Sequence, residues 1–160
     1  MAHANWIWKE SAEILGVLGV IASMIFVGVE IRQNTDAVRG STLHAVSQQS
    51  LDLVMVGVSS PELRSAFIAA QEGRLSPEQQ NQLLWFISAK LRADENRFRQ
   101  VELGILDAST FQQLSNHQAY RIPYFAEYWA LRGDTYAADF QELVIREFLP
   151  LSQSVITEDQ

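Results

Sequence analysis

Residues 14–29 read ILGVLGVIASMIFVGV, an uncharged run bracketed by Glu13 and Glu30, and this stretch decides the fold. An α-helix rises about 1.5 Å per residue and a bilayer core is about 30 Å thick, so a crossing takes roughly 20 residues. Taking in Ala12 at one end and Ile31 at the other reaches that length. Glu13 and Glu30 then fall near the two headgroup layers, where a carboxylate reaches water or a proton at modest cost. Trp6 and Trp8 lie just outside the run and Arg32 just past it. Indoles and cations favour the interface, so these three read as anchors of a single-pass transmembrane helix in the lipid bilayer.

Two other structures use such a run. One is the buried helix of a soluble core. A core helix usually keeps one polar face, which this one lacks, and the rest of the chain supplies amphipathic helices of its own. The other is a cleaved signal peptide. Lys9 is offset by Glu10 and Glu13, which leaves no basic leader, and no small-x-small cleavage site follows.

Small residues in the run are grouped. Ala12, Gly16, Gly19 and Ser23 are spaced four, three and four apart, on one stripe of a helix. Such stripes let a second backbone approach closely in lipid, where packing drives association. They are the expected contact to other membrane-protein subunits. Gly and Ala are also simply common in membrane helices.

Composition narrows the functional classes. The 160 residues carry a net charge of −7, and past Ile31 there are 11 Lys or Arg against 16 Asp or Glu. An acidic surface without a basic stripe argues against nucleic acid as a partner. The absence of cysteine removes disulfides, thiolate nucleophiles and sulfur-ligated metals. Arg32 and Arg39 follow the span and Lys9 precedes it, so the positive-inside tendency places the larger part in the cytoplasm.

The division expected is a membrane anchor over residues 1–33 and a helical domain over 34–160. The fold class is all-α: one N-terminal transmembrane helix followed by a small bundle of about five to six helices. The first helix should continue, with a kink near Gly40, through Leu43, Val46, Leu51 and Val54 toward Val58. Ser60-Pro61 and Ser76-Pro77 are paired start signals, a capping serine before a first-turn proline. Gly73 and Gly104 are the matching stops. Asp107 should cap a helix carrying Phe111 and Leu114. Pro123 should open an aromatic helix that Gly133 closes. A last helix, around Tyr136 to Phe148, should stop before Pro150 and leave a loose polar tail from Ser152.

The helix after Pro77 is the best place for chemistry. Leu84, Ile87, Leu91, Phe98, Val101 and Ile105 keep the three-four spacing of a bundle seam. The missing member is Asp94, or Glu95 if the spacing drifts at 3.6. A ligand or proton carrier would sit there. So would a structural acid paired with Arg92, Arg97 or Arg99, or with a Tyr or Asn of a neighbouring helix, and the structural reading is preferred. Tyr120, Tyr124, Phe125, Tyr128, Trp129, Tyr136 and Phe140 suit a ligand pocket or an ordinary core, with core preferred. His3, His44 and His117 are isolated, and no Glu-x-x-His, HExxH, P-loop or GxSxG pattern occurs. No catalytic residue, metal ligand or cofactor is expected.

The segment IFVGVEIRQNTDAVR at 25–39, with Trp8 and Glu13 upstream, resembles a widespread group of uncharacterised bacterial proteins. These have an N-terminal hydrophobic helix ending in a VGxxIRQNTxAxR-like signature. Pro61 to Leu63, LSPEQQ at 75–80, Glu95-Asn96 and Gly104 to Asp107 resemble the same group, and Tyr128-Trp129 and the Phe140 helix do so more loosely. The chain departs from it at 120–124, where a more Gly-rich turn is expected. The resemblance implies the architecture and no activity.

Three functions fit these readings. The first is a non-enzymatic accessory subunit of a larger membrane complex, for example an energy-transducing assembly. The second is a small-ligand carrier or enzyme using the aromatic cluster with Asp94 or Glu95. The third is a homo-oligomeric membrane sensor.

Overall fold

The computed structural model describes the backbone of residues 2–114 and 117–152 and the side chains of 13–112 and 119–152. Trp6, Trp8 and Ala12, with His3 and His117, have side chains outside that set. The described residues are all-α, with no strand. They form α1 (Ala2–Ser59), α2 (Pro61–Gln71), α3 (Pro77–Glu102), α4 (Ala108–Leu114), α5 (Tyr124–Arg132) and α6 (Ala138–Leu143), with short 3₁₀ turns at His117–Tyr120 and Gly133–Thr135 and a π turn at Val144–Phe148. Chain contacts divide into two units, residues 1–41 and 42–160.

In the first unit α1 is helical without a break through Gly40. One stretch of α1, Glu13–Ser59, which runs on into the second unit, is long and apolar enough to cross a membrane, and its most apolar window has no buried residue. Large apolar side chains from Ile14 to Ile31 lie between 48% and 69% exposed. A core helix of a soluble domain hides such side chains, and here none of them is buried. Ser23 donates its hydroxyl to the Gly19 carbonyl at 2.8 Å, and Thr35 donates to Ile31 at 2.9 Å. Both hydroxyls thus find an acceptor within the helix itself, one turn back.

In the second unit the start and stop signals act as the sequence implies. Ser60 Oγ accepts from the Leu63 N–H at 3.1 Å, with Pro61 in the first turn. Ser76 forms a full capping box with Gln79. Gly73 and Gly104 have φ of +64° and +68°, left-handed values that cost a side-chain-bearing residue free energy. The core is built from Leu63, Ala66 and Ala70 of α2, Leu83, Ile87 and Leu91 of α3, and the aromatic side chains of the last third of the chain.

The end of the chain departs from expectation. The helix does not stop before Pro150 but continues to Ser152. Proline lacks an N–H and crowds the carbonyl one turn back, which is tolerable where the preceding turn is already widened. That widening is the π turn, in which the Leu149 N–H reaches the Val144 carbonyl. Ser152 is fully buried and donates to the Leu149 carbonyl at 2.8 Å, so it belongs to the helix and not to a loose tail. The remainder of that tail lies outside the described residues.

Candidate functional site

The acid that interrupts the α3 seam is Asp94, not Glu95. The buried face of α3 runs Leu83, Ile87, Lys90, Leu91, Ala93, Asp94, Arg97, while Leu84, Phe98, Val101 and Ile105 are half-buried at its margin. Asp94 is 0% exposed and is held by three donors. Lys90, one turn before it, donates from Nζ to Oδ2 at 2.6 Å. Arg97, one turn after it, donates to Oδ1, and the Tyr120 hydroxyl donates to Oδ2. Arg97 also reaches Ser50 Oγ of α1 at 2.6 Å, and Ser50 in turn donates to the Val46 carbonyl at 3.1 Å. The cluster therefore ties α3 to α1 and to the turn before α5.

Removing two cations and one anion from water is costly, and mutual pairing offsets part of that cost. Burial pushes the Lys90 ammonium below its ordinary pKa, against the pull of Asp94. Burial, with the Asp94 charge beside it, pushes the Tyr120 hydroxyl well above 10. Lys90 lies 5.1 Å from the centre of the Tyr120 ring, a cation–π contact. Tyr120 therefore keeps its proton and donates it to Asp94, which joins the turn before α5 to α3.

Glu95 has a separate task. It accepts from Arg92 at 2.7 Å and from the backbone N–H of Ala137 at 2.8 Å, immediately before α6. An acidic acceptor at a helix start satisfies an otherwise unpaired donor and meets the positive end of the helix dipole. Arg92 lies 4.2 Å from the centre of the Tyr136 ring, and Tyr136 shares a 2.7 Å hydrogen bond with Tyr128.

The aromatic residues form the core. Tyr120 stacks on Phe148 at 4.7 Å between centroids, Trp129 on Tyr136 at 5.6 Å, and Phe98 meets Phe140 at 5.8 Å. Tyr128 and Tyr136 also border a small surface pocket of about 200 Å³ with Arg92 and Arg132.

A larger cavity, of about 330 Å³, adjoins the buried cluster. Its walls include Leu53, Val54, Phe67 and Phe86, and Lys90 and Arg97 supply its charged side. Nothing in the sequence pattern marks it. Lys90 was not among the expected partners of Asp94, although its i−4 position was the signal that marks it, and Ser50 and Leu53 join only through the tertiary fold.

Of the residues expected to pack membrane helices, Gly16, Gly19 and Ser23 lie along one shallow groove with Val20, Met24 and Val27. Arg32 and His44 are exposed. No group of three potential metal ligands occurs among the described residues. Comparison with protein-family models, with curated proteins and with solved structures finds no match to this chain.

Proposed function

We propose that this chain is a single-pass protein of the bacterial inner membrane whose helical domain, in the cytoplasm, serves as an accessory, protein-binding subunit of a larger membrane complex. The observation that carries the reading is the exposure of residues 14–31. A helix so apolar, with every large apolar side chain at least 48% exposed, needs a cover of hydrocarbon or protein. The charges fit the same reading: Arg32 and Arg39 follow the span, against Lys9 before it.

A second observation favours a protein partner over lipid alone. Leu51, Met55, Val56 and Val58, within the second unit, are 51% to 59% exposed, and Trp85 is 68% exposed. Large apolar surface of this kind on a folded domain is characteristic of an interaction face. The groove beside Gly16, Gly19 and Ser23 supplies a surface on which a neighbouring membrane helix would pack closely.

Affinity purification from native membranes after mild crosslinking tests this function. The expected result is a reproducible set of membrane-protein subunits in stoichiometric amount. Recovery of the chain by itself would overturn the accessory-subunit reading, and recovery of a homo-oligomer alone would favour a sensor.

A further inference from the structure

The cavity beside the Asp94 cluster has a composition that selects a ligand. Its walls are mostly apolar, with Ser50 and Gln71 as neutral polar groups, and the described residues lining it include two cations, Lys90 and Arg97, and no acid. Behind the cations stands the Asp94 carboxylate, with which each of them forms an ion pair. An ammonium has three donors. Among the described residues only Asp94 accepts from Lys90, which is 6% exposed, so two donors of a nearly buried ammonium are left at the edge of the cavity.

We propose that this cavity binds a small amphiphile with one anionic head and an apolar body, the head lying against Lys90 and Arg97 and the body along Leu53, Val54, Phe67 and Phe86. Each alternative leaves something unmet. A wholly apolar ligand leaves the ammonium donors unsatisfied, and a cationic one is repelled by the two cations on the wall. An inorganic anion leaves the apolar walls bare. The volume, about 330 Å³, stands at the lower end of the range of roughly 300–1,000 Å³ for small-molecule sites, which suits a short acyl body. The lowered Lys90 pKa fits a site whose cation gains from an added anion. The whole site lies within residues 42–160 and does not depend on the membrane reading.

Two sources carry this chemistry: a free fatty acid and the anionic head of a membrane lipid. The test uses the full chain in nanodiscs of zwitterionic lipid, with empty discs as the background. Displacement of a dansyl-labelled fatty acid is measured with decanoate and with its methyl ester. Decanoate should displace the probe, and the ester should be at least tenfold weaker. Gly57, on the cavity wall, has open space where a Cβ would stand, and leucine favours a helix interior over glycine. Gly57→Leu should therefore fold normally and lose most of the binding, while Lys90→Met should weaken decanoate at least tenfold and the ester little. Mass analysis of lipid extracted from the purified chain separates the sources, since either a fatty acid or an anionic phospholipid enriched over Gly57→Leu supports the site. Equal displacement by decanoate and ester, wild-type binding in Gly57→Leu, or no displacement above empty discs would overturn it.

Discussion

The hydroxyl of Tyr120 and the carboxylate of Asp94 meet across 26 residues of chain, joining the turn before α5 to the middle of α3 where neither group meets solvent. Lys90 and Arg97 complete the shell around that carboxylate. Removing the acid would leave two buried cations without their anion. Asp94→Ala should therefore cost about 3–5 kcal/mol of stability, the range for breaking a buried ion pair. Tyr120→Phe removes one donor and keeps the ring, so it should cost about 1–3 kcal/mol. Denaturant titration of the two single variants and the double variant measures both, and the costs should be less than additive because the residues share one bond. A full cost for Tyr120→Phe in the Asp94→Ala background would show that the hydroxyl acts elsewhere.

Alkali provides a second test of the buried hydroxyls. Tyr120, Tyr124 and Tyr136 are all raised above 10, in each case first by burial. Above pH 10 the unfolded chain releases these protons and the folded chain keeps them. The stability they supply is thus complete below about pH 10 and is lost as pH rises beyond it. Lys90 runs the other way, since its lowered value means stability gained as pH climbs toward 10.5, but it is one group against three. Tyrosinate absorbance should appear together with loss of helical circular dichroism in one cooperative step. Ionisation of these tyrosines at pH 10 with the helices intact would contradict their burial.

For the apolar segment, carbonate extraction is the direct measurement. The full chain should stay with the membrane at alkaline pH, while a chain lacking residues 1–33 should be soluble, acidic and helical. The basis is that the core of the second unit draws on residues from Leu63 to Phe148 and on none of those removed. A full-length chain that washes off with alkali would rule out the spanning helix.

The small-residue groove yields a fourth expectation. A Cβ at Gly16 or Gly19 meets nothing within 4 Å in the isolated chain. Gly16→Leu and Gly19→Leu should therefore leave the fold and its melting temperature unchanged while reducing co-purification of membrane partners. A bulky side chain there separates backbones whose close approach supplies most of the attraction. Undiminished co-purification in both variants would move the contact to another face.

How far the sequence could be read depended on the range of the interactions involved. Helix starts at Ser60 and Ser76 and stops at Gly73 and Gly104 are set within four residues, and each was legible. The acid in the α3 seam was legible as an interruption, and its Arg97 partner as a neighbour one turn away. The choice between Asp94 and Glu95 was not, because a drift of one position over two turns is smaller than the width of an apolar stripe. The cavity was less legible still: its wall brings Leu53 of α1 beside Phe67 of α2 and Phe86 of α3, three residues linked by no local rule. The run through Pro150 was misread because the widened turn that accommodates the proline lies upstream of it.

That widened turn also explains a pattern at the end of the chain. Phe140, Val144, Phe148 and Ser152 are each 0% exposed and follow one another at intervals of four. At 3.6 residues per turn a step of four overshoots by about 40°, so three such steps would carry the last residue about 120° around the helix. Ser152 would then point away from the core that holds Phe140. The extra residue in the Val144–Phe148 turn takes up this overshoot and returns all four side chains to one side. An unbroken beat of fours is thus a written trace of a non-standard helix. Excising one residue between Val144 and Phe148 would restore a standard helix in which the steps from Phe140 to Ser152 turn about 1100°, within about 20° of three full turns, so the buried side chains should keep their phase.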